Sequence, residues 1–341
     1  MLSFESDYTE GAHVRILERL METNLEQTPG YGMDIYCEQA KEKIRDAFGV
    51  PDADVFFLVG GTQTNSTVIA SMLRDYQGVI AVETGHIGVH ESGAVEFTGH
   101  KVLTLPSHQG KMTAEDLNSY LKAFYADETH DHMVFPGMVY ISFPTELGTI
   151  YSKSELEVLH GVCQEYSIPL FIDGARLGYG LMSDANDVGI KELPQLCDVF
   201  YVGGTKVGAL FGEAVVFPAG NAPDHFFTTI KQHGALMAKG RMLGLQFDTL
   251  FTDGLYFEIA RHADNLAGIL KGIFLEKGYE TYIDSPTNQQ FFVMTREQAA
   301  ELHKKVRFED WCPVDEERIA VRFVTSWATK EENVLSLRNI I

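Results

Sequence analysis

The chain has 341 residues, 45% hydrophobic and 22% charged, which is enough for a large globular domain and a smaller one. Its formal net charge of −21 argues against a general nucleic-acid binder and against docking on an anionic membrane. A site for an anionic ligand must therefore be positive only locally, through backbone N–H groups and a few arginines. Four scattered cysteines (Cys37, Cys163, Cys197 and Cys312) form no Cys-x-x-Cys pair. They suggest neither a zinc site nor a disulfide framework and suit a reducing cytoplasm. The opening Met-Leu-Ser-Phe-Glu-Ser-Asp lacks a signal-peptide pattern. No apolar run approaches the ~20 residues of a membrane span.

In chain order, residues 4–11 read as a polar, turn-like arm in which Ser6 could cap a helix. Val14, Ile16, Leu17, Leu20 and Met21 carry helical spacing, the run Pro29 to Asp34 reads as a loop, and residues 35–48 form an amphipathic helix. Val55–Val59 is a predicted strand that enters Gly60-Gly61-Thr62-Gln63-Thr64-Asn65, with an apolar helix from Ser66. Strand, glycine turn and helix start make an anion-binding layout, because unpaired N–H groups and the helix dipole both favour a phosphate. The turn has neither the Gly-Lys-Ser/Thr ending of a P-loop nor G-x-G-x-x-G.

The strand Gly78–Val82 leads to Glu83-Thr-Gly-His86-Ile-Gly-Val-His90-Glu91. His86 falls just past a strand end and could lie over a flat cofactor ring. His86 and His90 at i, i+4 could instead pair on a metal, but H-E-x-x-H is not matched and no third ligand is evident, so no metal is expected. Next come a strand at Val102–Leu105, a helix at Thr113–Ala126 capped by Thr113, the pair His130 and His132, and a strand at Met138–Ser142 running into Phe-Pro-Thr-Glu146.

A helix over Ser152–Tyr166 precedes two short apolar strands, Leu170–Ile172 and Val199–Val202. The first ends on Asp173 and the second on Lys206, inside the turn Gly-Gly-Thr-Lys, with a further strand at Ala214–Phe217. Alternating strands and helices from about residue 55 to 217 predict a mainly parallel sheet with right-handed crossovers. Ligands sit beyond the carboxyl ends of such strands, so Asp173 and Lys206 share one rim. Past Phe247 a long helix to about Lys277 and strands near Glu280–Ile283, Gln290–Met294 and Ile319–Val324 predict a small α+β domain, dividing the chain into 1–246 and 247–341.

An amine on that rim can form a Schiff base with a carbonyl, and a carboxylate beside it can keep a pyridine nitrogen protonated. Pyridoxal 5'-phosphate needs this pair. Asp173-Gly-Ala-Arg176 and Gly-Gly-Thr-Lys206 together resemble the threonine aldolase and aromatic amino acid β-eliminating lyase family, fold type I of the pyridoxal-phosphate enzymes. The resemblance implies an α/β large domain on a mainly parallel sheet, a small α+β domain, and a homodimer or homotetramer with the site at a subunit interface. By the same resemblance Gly61 and Thr62 form the phosphate cup, His86 stacks on the cofactor ring with Glu91 five residues on, and Asp173 pairs with the ring nitrogen. Lys206 carries the cofactor, Arg176 contacts cofactor and substrate, and Ser6 and Arg322 bind the substrate carboxylate. His132 faces the substrate hydroxyl, Tyr31 lies near a neighbouring subunit's cofactor, and Lys239, Arg241 and Gly244 loosely match a segment that reaches phosphate across the dimer.

One wall departs from the family. Where threonine aldolases usually show Glu-Asn-Thr-His, this chain has Ser142-Phe-Pro-Thr-Glu146. The expected activity is a low-specificity L-threonine and L-allo-threonine aldolase that releases glycine and an aldehyde. His132, or a water held by His86 or Glu91, is the expected base. The alternative is β-elimination from another amino acid, with Lys206 as base. A cofactor-binding regulator with little turnover would carry a DNA-binding segment or lack the lysine, and neither is seen. The expected ligand is a small amino acid, with no nucleic acid or membrane partner.

Overall fold

The computed structural model describes residues 1–341. Seven strands form the central sheet: β1 (Asp54–Leu58), β2 (Gln77–Val82), β3 (Val102–Leu105), β4 (Phe135–Ser142), β5 (Leu170–Asp173), β6 (Val199–Gly203) and β7 (Glu213–Phe217). Their spatial order is β1-β7-β6-β5-β4-β2-β3. Pairing is parallel from β6 through β5, β4 and β2 to β3, and β7 runs antiparallel to both of its neighbours. The chain from Gly204 to Gly212 is too short for a crossover helix, so β7 returns beside β6 as a hairpin.

Both faces of the sheet are covered, which is why its strands read as continuous apolar runs. Period-two alternation sorts them. Ile80, Val139, Ile141, Ile172, Phe200 and Val202 enter the larger core, while Val79, Met138, Tyr140, Phe171, Val199 and Tyr201 enter the second. Thr113 caps its helix by accepting from the Asp116 N–H, as predicted. Ser152 and Glu155 close a capping box on the helix Lys153–Glu165.

Two boundaries differ from the sequence reading. The helix predicted from Ser66 begins at Gly61. Gly, Thr and Asn are poor to middling helix formers, so propensity pointed past them, but burial of Thr64, Asn65, Ser66 and Thr67 holds this start of the helix in place. The long C-terminal helix is two, Arg241–Leu250 and Leu255–Glu276, separated at Gly254 with φ 73°. A division at 246/247 cuts the first of them, which packs Gly244 onto Cys37 of the helix Ile35–Phe48. The second joins two cores: Leu255, Tyr256 and Ala260 lie in the large one, and Leu266, Leu270 and Phe274 lie under the small sheet.

The small sheet comprises β8 (Glu280–Ile283), β9 (Gln289–Thr295), β10 (Glu309–Pro313) and β11 (Arg318–Val324), antiparallel in the order β10-β11-β9-β8. Leu2 and Ser3 pair with Val306 and Arg307, and Phe4 is buried against Phe323. The N-terminal arm is thus fastened to the small sheet before Ser6 and Asp7 turn toward the large one. No helix is long and apolar enough to cross a membrane.

The ends of β5 and β6 cross where only glycine fits. A Cβ on Gly174 would lie 1.9 Å from the Tyr201 carbonyl oxygen, and one on Gly203 would lie 2.3 Å from that of Ala175. The Gly203 N–H donates to the Gly174 oxygen at 2.9 Å. This crossing brings the turn after Asp173 against the turn that carries Lys206. Gly174→Ala is therefore expected to destabilise the protein by about 1–3 kcal/mol or more, measured by urea unfolding; an unchanged midpoint would contradict the crossing.

Candidate active site

At the carboxyl ends of the parallel strands a cleft is lined by Gly60, Gly61, Thr62, Asn65, His86, Glu91, Glu146, Asp173, Arg176, Thr205, Lys206 and Glu213, among others. Asp173 forms its floor and is buried. Adjacent strands aim hydroxyls at it from the same sheet face. Tyr140 of β4 donates to Oδ2 at 2.5 Å, and Tyr201 of β6 donates to Oδ1 at 2.5 Å. Asn65 Nδ2 adds a bond to Oδ2 at 2.9 Å and the Ala175 N–H one to Oδ1 at 2.9 Å. Burial alone would raise the carboxyl's pKa; the neighbouring His86 and these donors hold it below the ordinary carboxylate range.

Lys206 faces this floor from the turn after β6. Tyr179 fixes that turn by donating to the Lys206 carbonyl at 2.6 Å. Glu213, at the start of β7, accepts from the Gly204 N–H at 3.1 Å and from the Thr205 hydroxyl at 2.8 Å. Burial and the Arg176 charge push the Lys206 ammonium pKa down, against Asp7, Asp173 and Glu213, which eases access to the neutral amine that attacks carbonyls. Burial pushes the Glu213 carboxyl up.

The helix Gly61–Met72 points its N-terminus into the cleft. Gly60 supplies no side-chain cap, and the N–H groups of Gly61, Thr62 and Gln63 meet no acceptor in the chain. A Cβ on Gly60 would meet open space. These free donors and the helix dipole suit a phosphate. Opposite, His86 opens a short helix just past β2. Its Nδ1 lies 2.7 Å from Glu91 Oε1, which also accepts from Asn65 at 2.8 Å.

Arg176 reaches the cleft but is gripped from behind. The buried Asp7 carboxylate accepts from Nε at 2.7 Å and Nη2 at 3.0 Å, and from Asn288 Nδ2 at 2.9 Å. Burial would raise the Asp7 pKa, but Arg176, Lys206 and these bonds hold it below the usual value. Ser6, next in the arm, has a buried hydroxyl with no partner. Arg322 of β11 donates to Gln289 Oε1 at 2.9 Å, pairs with Glu309 across the sheet, and lies over the Trp311 ring. Its Nε is buried without a partner, and its charge is felt with those of Arg176 and Asp7.

The structure brings Gly61, Thr62, His86, Asp173, Arg176 and Lys206 around one cleft; Ser6 and Arg322 do not line it, though the Arg322 charge is felt with that of Arg176. It does not bring His132. His132 sits in an exposed turn before β4, at that strand's amino end. Eight residues of strand, at roughly 3.3 Å each, put about 25 Å between it and the rim. The expected hydroxyl-facing role of His132 is corrected on that ground. Arg241 also points away, donating to the carbonyls of Thr23 and Glu26. No third His, Cys, Asp or Glu joins His86 and His90 in a metal-binding group.

Sequence reasoning missed Tyr140, Tyr201, Asp7 and Glu213. For the tyrosines a signal existed: hydroxyls in buried apolar strands need partners, and Asp173 is the acceptor at that level of the sheet. Asp7 and Glu213 carried no local signal, because their partners are reached only through the fold.

The β-eliminating lyase family model matches residues 3–298. A low specificity L-threonine aldolase of Pseudomonas sp. (strain NCIMB 10558) is 30% identical over 339 residues, covering 98% of this chain and 95% of the relative. The solved Leishmania major threonine aldolase is 40% identical, with a TM-score of 0.96 over 100% of this chain and 98% of its own. An aromatic aminotransferase from Pyrococcus horikoshii OT3, 16% identical with a TM-score of 0.71 over 100% of this chain and 97% of its own, extends the likeness of fold alone. The architecture is that of a fold-type-I pyridoxal-phosphate enzyme.

Asp7→Ala leaves the Arg176 charge buried and unpaired, and is expected to cost about 3–5 kcal/mol at neutral pH. Because Asp7 is held below its unfolded pKa, its stabilisation is present above about pH 4 and is lost as pH falls through the folded value. Urea unfolding across pH should thus show a shallower acid-side decline in the variant; parallel curves would contradict the pairing.

Proposed function

The chain belongs to the β-eliminating lyase family and, within it, to the threonine aldolases, carbon–carbon lyases dependent on pyridoxal phosphate; from that premise we propose that it cleaves L-threonine, L-allo-threonine and related β-hydroxy amino acids to glycine and an aldehyde. The observation that carries this reading is the pairing across one cleft of the four-donor Asp173 carboxylate with the half-buried Lys206 amine, beside a helix start with free N–H groups. That donor set fits the cofactor: a cation site for a pyridine nitrogen, an amine for an aldehyde and an anion site for a phosphate.

In this reading the N–H groups of Gly61, Thr62 and Gln63, with the Thr62 hydroxyl, would hold the phosphate. Asp173 would accept from the ring nitrogen and keep its proton in place. Its four donors fix the carboxylate and keep it ionised. The His86 ring, oriented by Glu91, would cover one side of the cofactor. Pyridoxal phosphate, when bound, takes up the electron pair released as a bond to Cα breaks. Lys206 would hold the cofactor through its amine and would hold or move a proton at Cα. Ser6, Arg176 and Arg322 would grip the substrate carboxylate and so decide which bond to Cα stands where it can break.

We further propose a homodimer or homotetramer with sites at the subunit interface. Tyr31, Met33 and Ile35 are exposed beside a groove lined by Phe227, Leu236 and Met237, and Tyr31 is held at φ 60° with Lys231 over its ring. An exposed apolar patch of this kind suits a second copy of the chain. Four free cysteines, three of them buried, are in keeping with a reducing cytoplasm.

Incubation with L-threonine, L-allo-threonine and amino acids bearing a β-leaving group tests the reaction. Glycine and an aldehyde are expected from the hydroxy substrates, and Lys206→Ala should release neither. Pyruvate and ammonia as the main products would instead favour β-elimination. Arg322→Ala should lower kcat/KM by about 10- to 100-fold, the worth of a charge-assisted contact of roughly 1.5–3 kcal/mol, with more side reaction per turnover. Arg322→Lys should recover only part. Wild-type kcat/KM and an unchanged product ratio in Arg322→Ala would place this arginine outside the site.

A further inference from the structure

We propose that Glu146 is the catalytic base that takes the proton from the substrate's β-hydroxyl. The proposal rests on the aldolase reading and assigns the one proton transfer that reading leaves without an owner once His132 is excluded by its place in the sheet.

Six side chains that can accept a proton line the cleft: His86, Glu91, Glu146, Asp173, Lys206 and Glu213. Asp173 is saturated by four donors, and Lys206 is committed to the cofactor. Glu213 is tied to the Gly204 and Thr205 turn. Glu91 spends Oε1 on His86 and Asn65, and its Oε2 is sealed from the cleft without a partner. His86 carries the Glu91 bond on Nδ1 and is assigned to cover the cofactor.

Glu146 differs from all of these. It stands at the end of the turn Ser142-Phe-Pro-Thr-Glu that follows β4, so the turn delivers it to the rim. Ser142 Oγ donates to its Oε1 at 2.6 Å and the His86 N–H donates to the same oxygen at 2.9 Å. Two donors on one oxygen fix the carboxylate, while Oε2 has no partner and is not among the sealed buried atoms. A group pinned at one oxygen and open at the other is built to exchange a proton. The titratable groups that face it are His86 and Glu91 beyond β2, Tyr140 of β4, Asp173 of β5, and Tyr151. Burial raises its carboxyl pKa and the Asp173 charge adds to this, against hydrogen bonds from Ser142, its own amide and the His86 amide, so its pKa lies above that of an ordinary glutamate.

In the step, the β O–H bond breaks and its proton passes to Glu146 Oε2. The O–H electron pair becomes the second bond of the aldehyde carbonyl as the Cα–Cβ bond breaks. The Cα–Cβ pair stays with the glycine fragment, which takes one proton at Cα from Lys206. Glu146 then returns its proton to solvent while Lys206 recovers one from solvent, so the proton count closes and no redox partner is required.

The test uses the cofactor-loaded enzyme and Glu146→Gln, which keeps the size and the Oε1 acceptor. Cleavage of L-threonine should fall by about 10²- to 10⁴-fold, the usual span for general-base catalysis. Exchange of the glycine α-proton with deuterated water needs no β-hydroxyl and should stay within a few-fold of wild type. The acid-side limb of the wild-type kcat/KM profile should lie above the ordinary glutamate range, because the base works only when ionised, and should vanish in the variant. Glu146→Asp should retain part of the cleavage. In the cofactor-free protein, the infrared difference between wild type and Glu146→Gln should show one carboxyl that titrates above the ordinary range. Wild-type cleavage and profile in Glu146→Gln would overturn the role, as would equal loss of cleavage and glycine exchange. A wild-type enzyme that releases no glycine overturns the aldolase reading and this role with it, whereas failure confined to the variants' predicted behaviour overturns this role alone.

Discussion

A buried carboxylate is the constraint on which the rest of the site depends. Moving an ion such as that of Asp173 out of water costs several kcal/mol unless donors replace its hydration. Here the replacements come from four separate parts of the chain: Tyr140 on β4, Tyr201 on β6, Asn65 on the phosphate-facing helix and the Ala175 amide. Each reaches Asp173 only if the parallel register of β4, β5 and β6 holds. The same register sends the next turn, with Lys206, over the carboxylate. The fold thus makes its catalytic pair and satisfies its costliest buried charge with one arrangement. The glycines at 174 and 203 let the two strand ends approach closely enough for this.

The chain carries a net charge of −21, yet the cleft must receive anions. The structure resolves this locally. Free N–H groups at Gly61, Thr62 and Gln63 supply partial positive charge without a titratable group, and Arg176 and Arg322 supply the rest. Each arginine is oriented by a carboxylate, Asp7 or Glu309, placed on its far side. Acidic residues are therefore part of how the positive wall is built, rather than rivals of it.

The parallel sheet, the anion turn and the Asp173–Lys206 rim were legible because they are written locally, as apolar runs of strand length that end on chemistry-bearing residues. The parts that were not legible depend on contacts between distant segments. The helix start at Gly61 is fixed by burial against propensity, and the break at Asp253 and Gly254 by two left-handed residues within one continuous amphipathic pattern. His132 looked close to the site because it shortly precedes β4, but a strand carries chain from one end of a sheet to the other, and nearness in sequence became about 25 Å of separation. Glu146 stood in plain view as a departure from the family's pattern. Its two pinning donors, Ser142 and the His86 amide, come from different strand ends and could not be paired without the fold.

The most direct measurement of the central claim is a crystal structure of the protein grown with pyridoxal phosphate. Continuous density from Lys206 Nζ to the cofactor, a ring nitrogen within hydrogen-bond distance of Asp173, and a phosphate on the N–H groups of Gly61, Thr62 and Gln63 are the expected result. Cofactor attached to another lysine, or lying with its ring nitrogen away from Asp173, would contradict it.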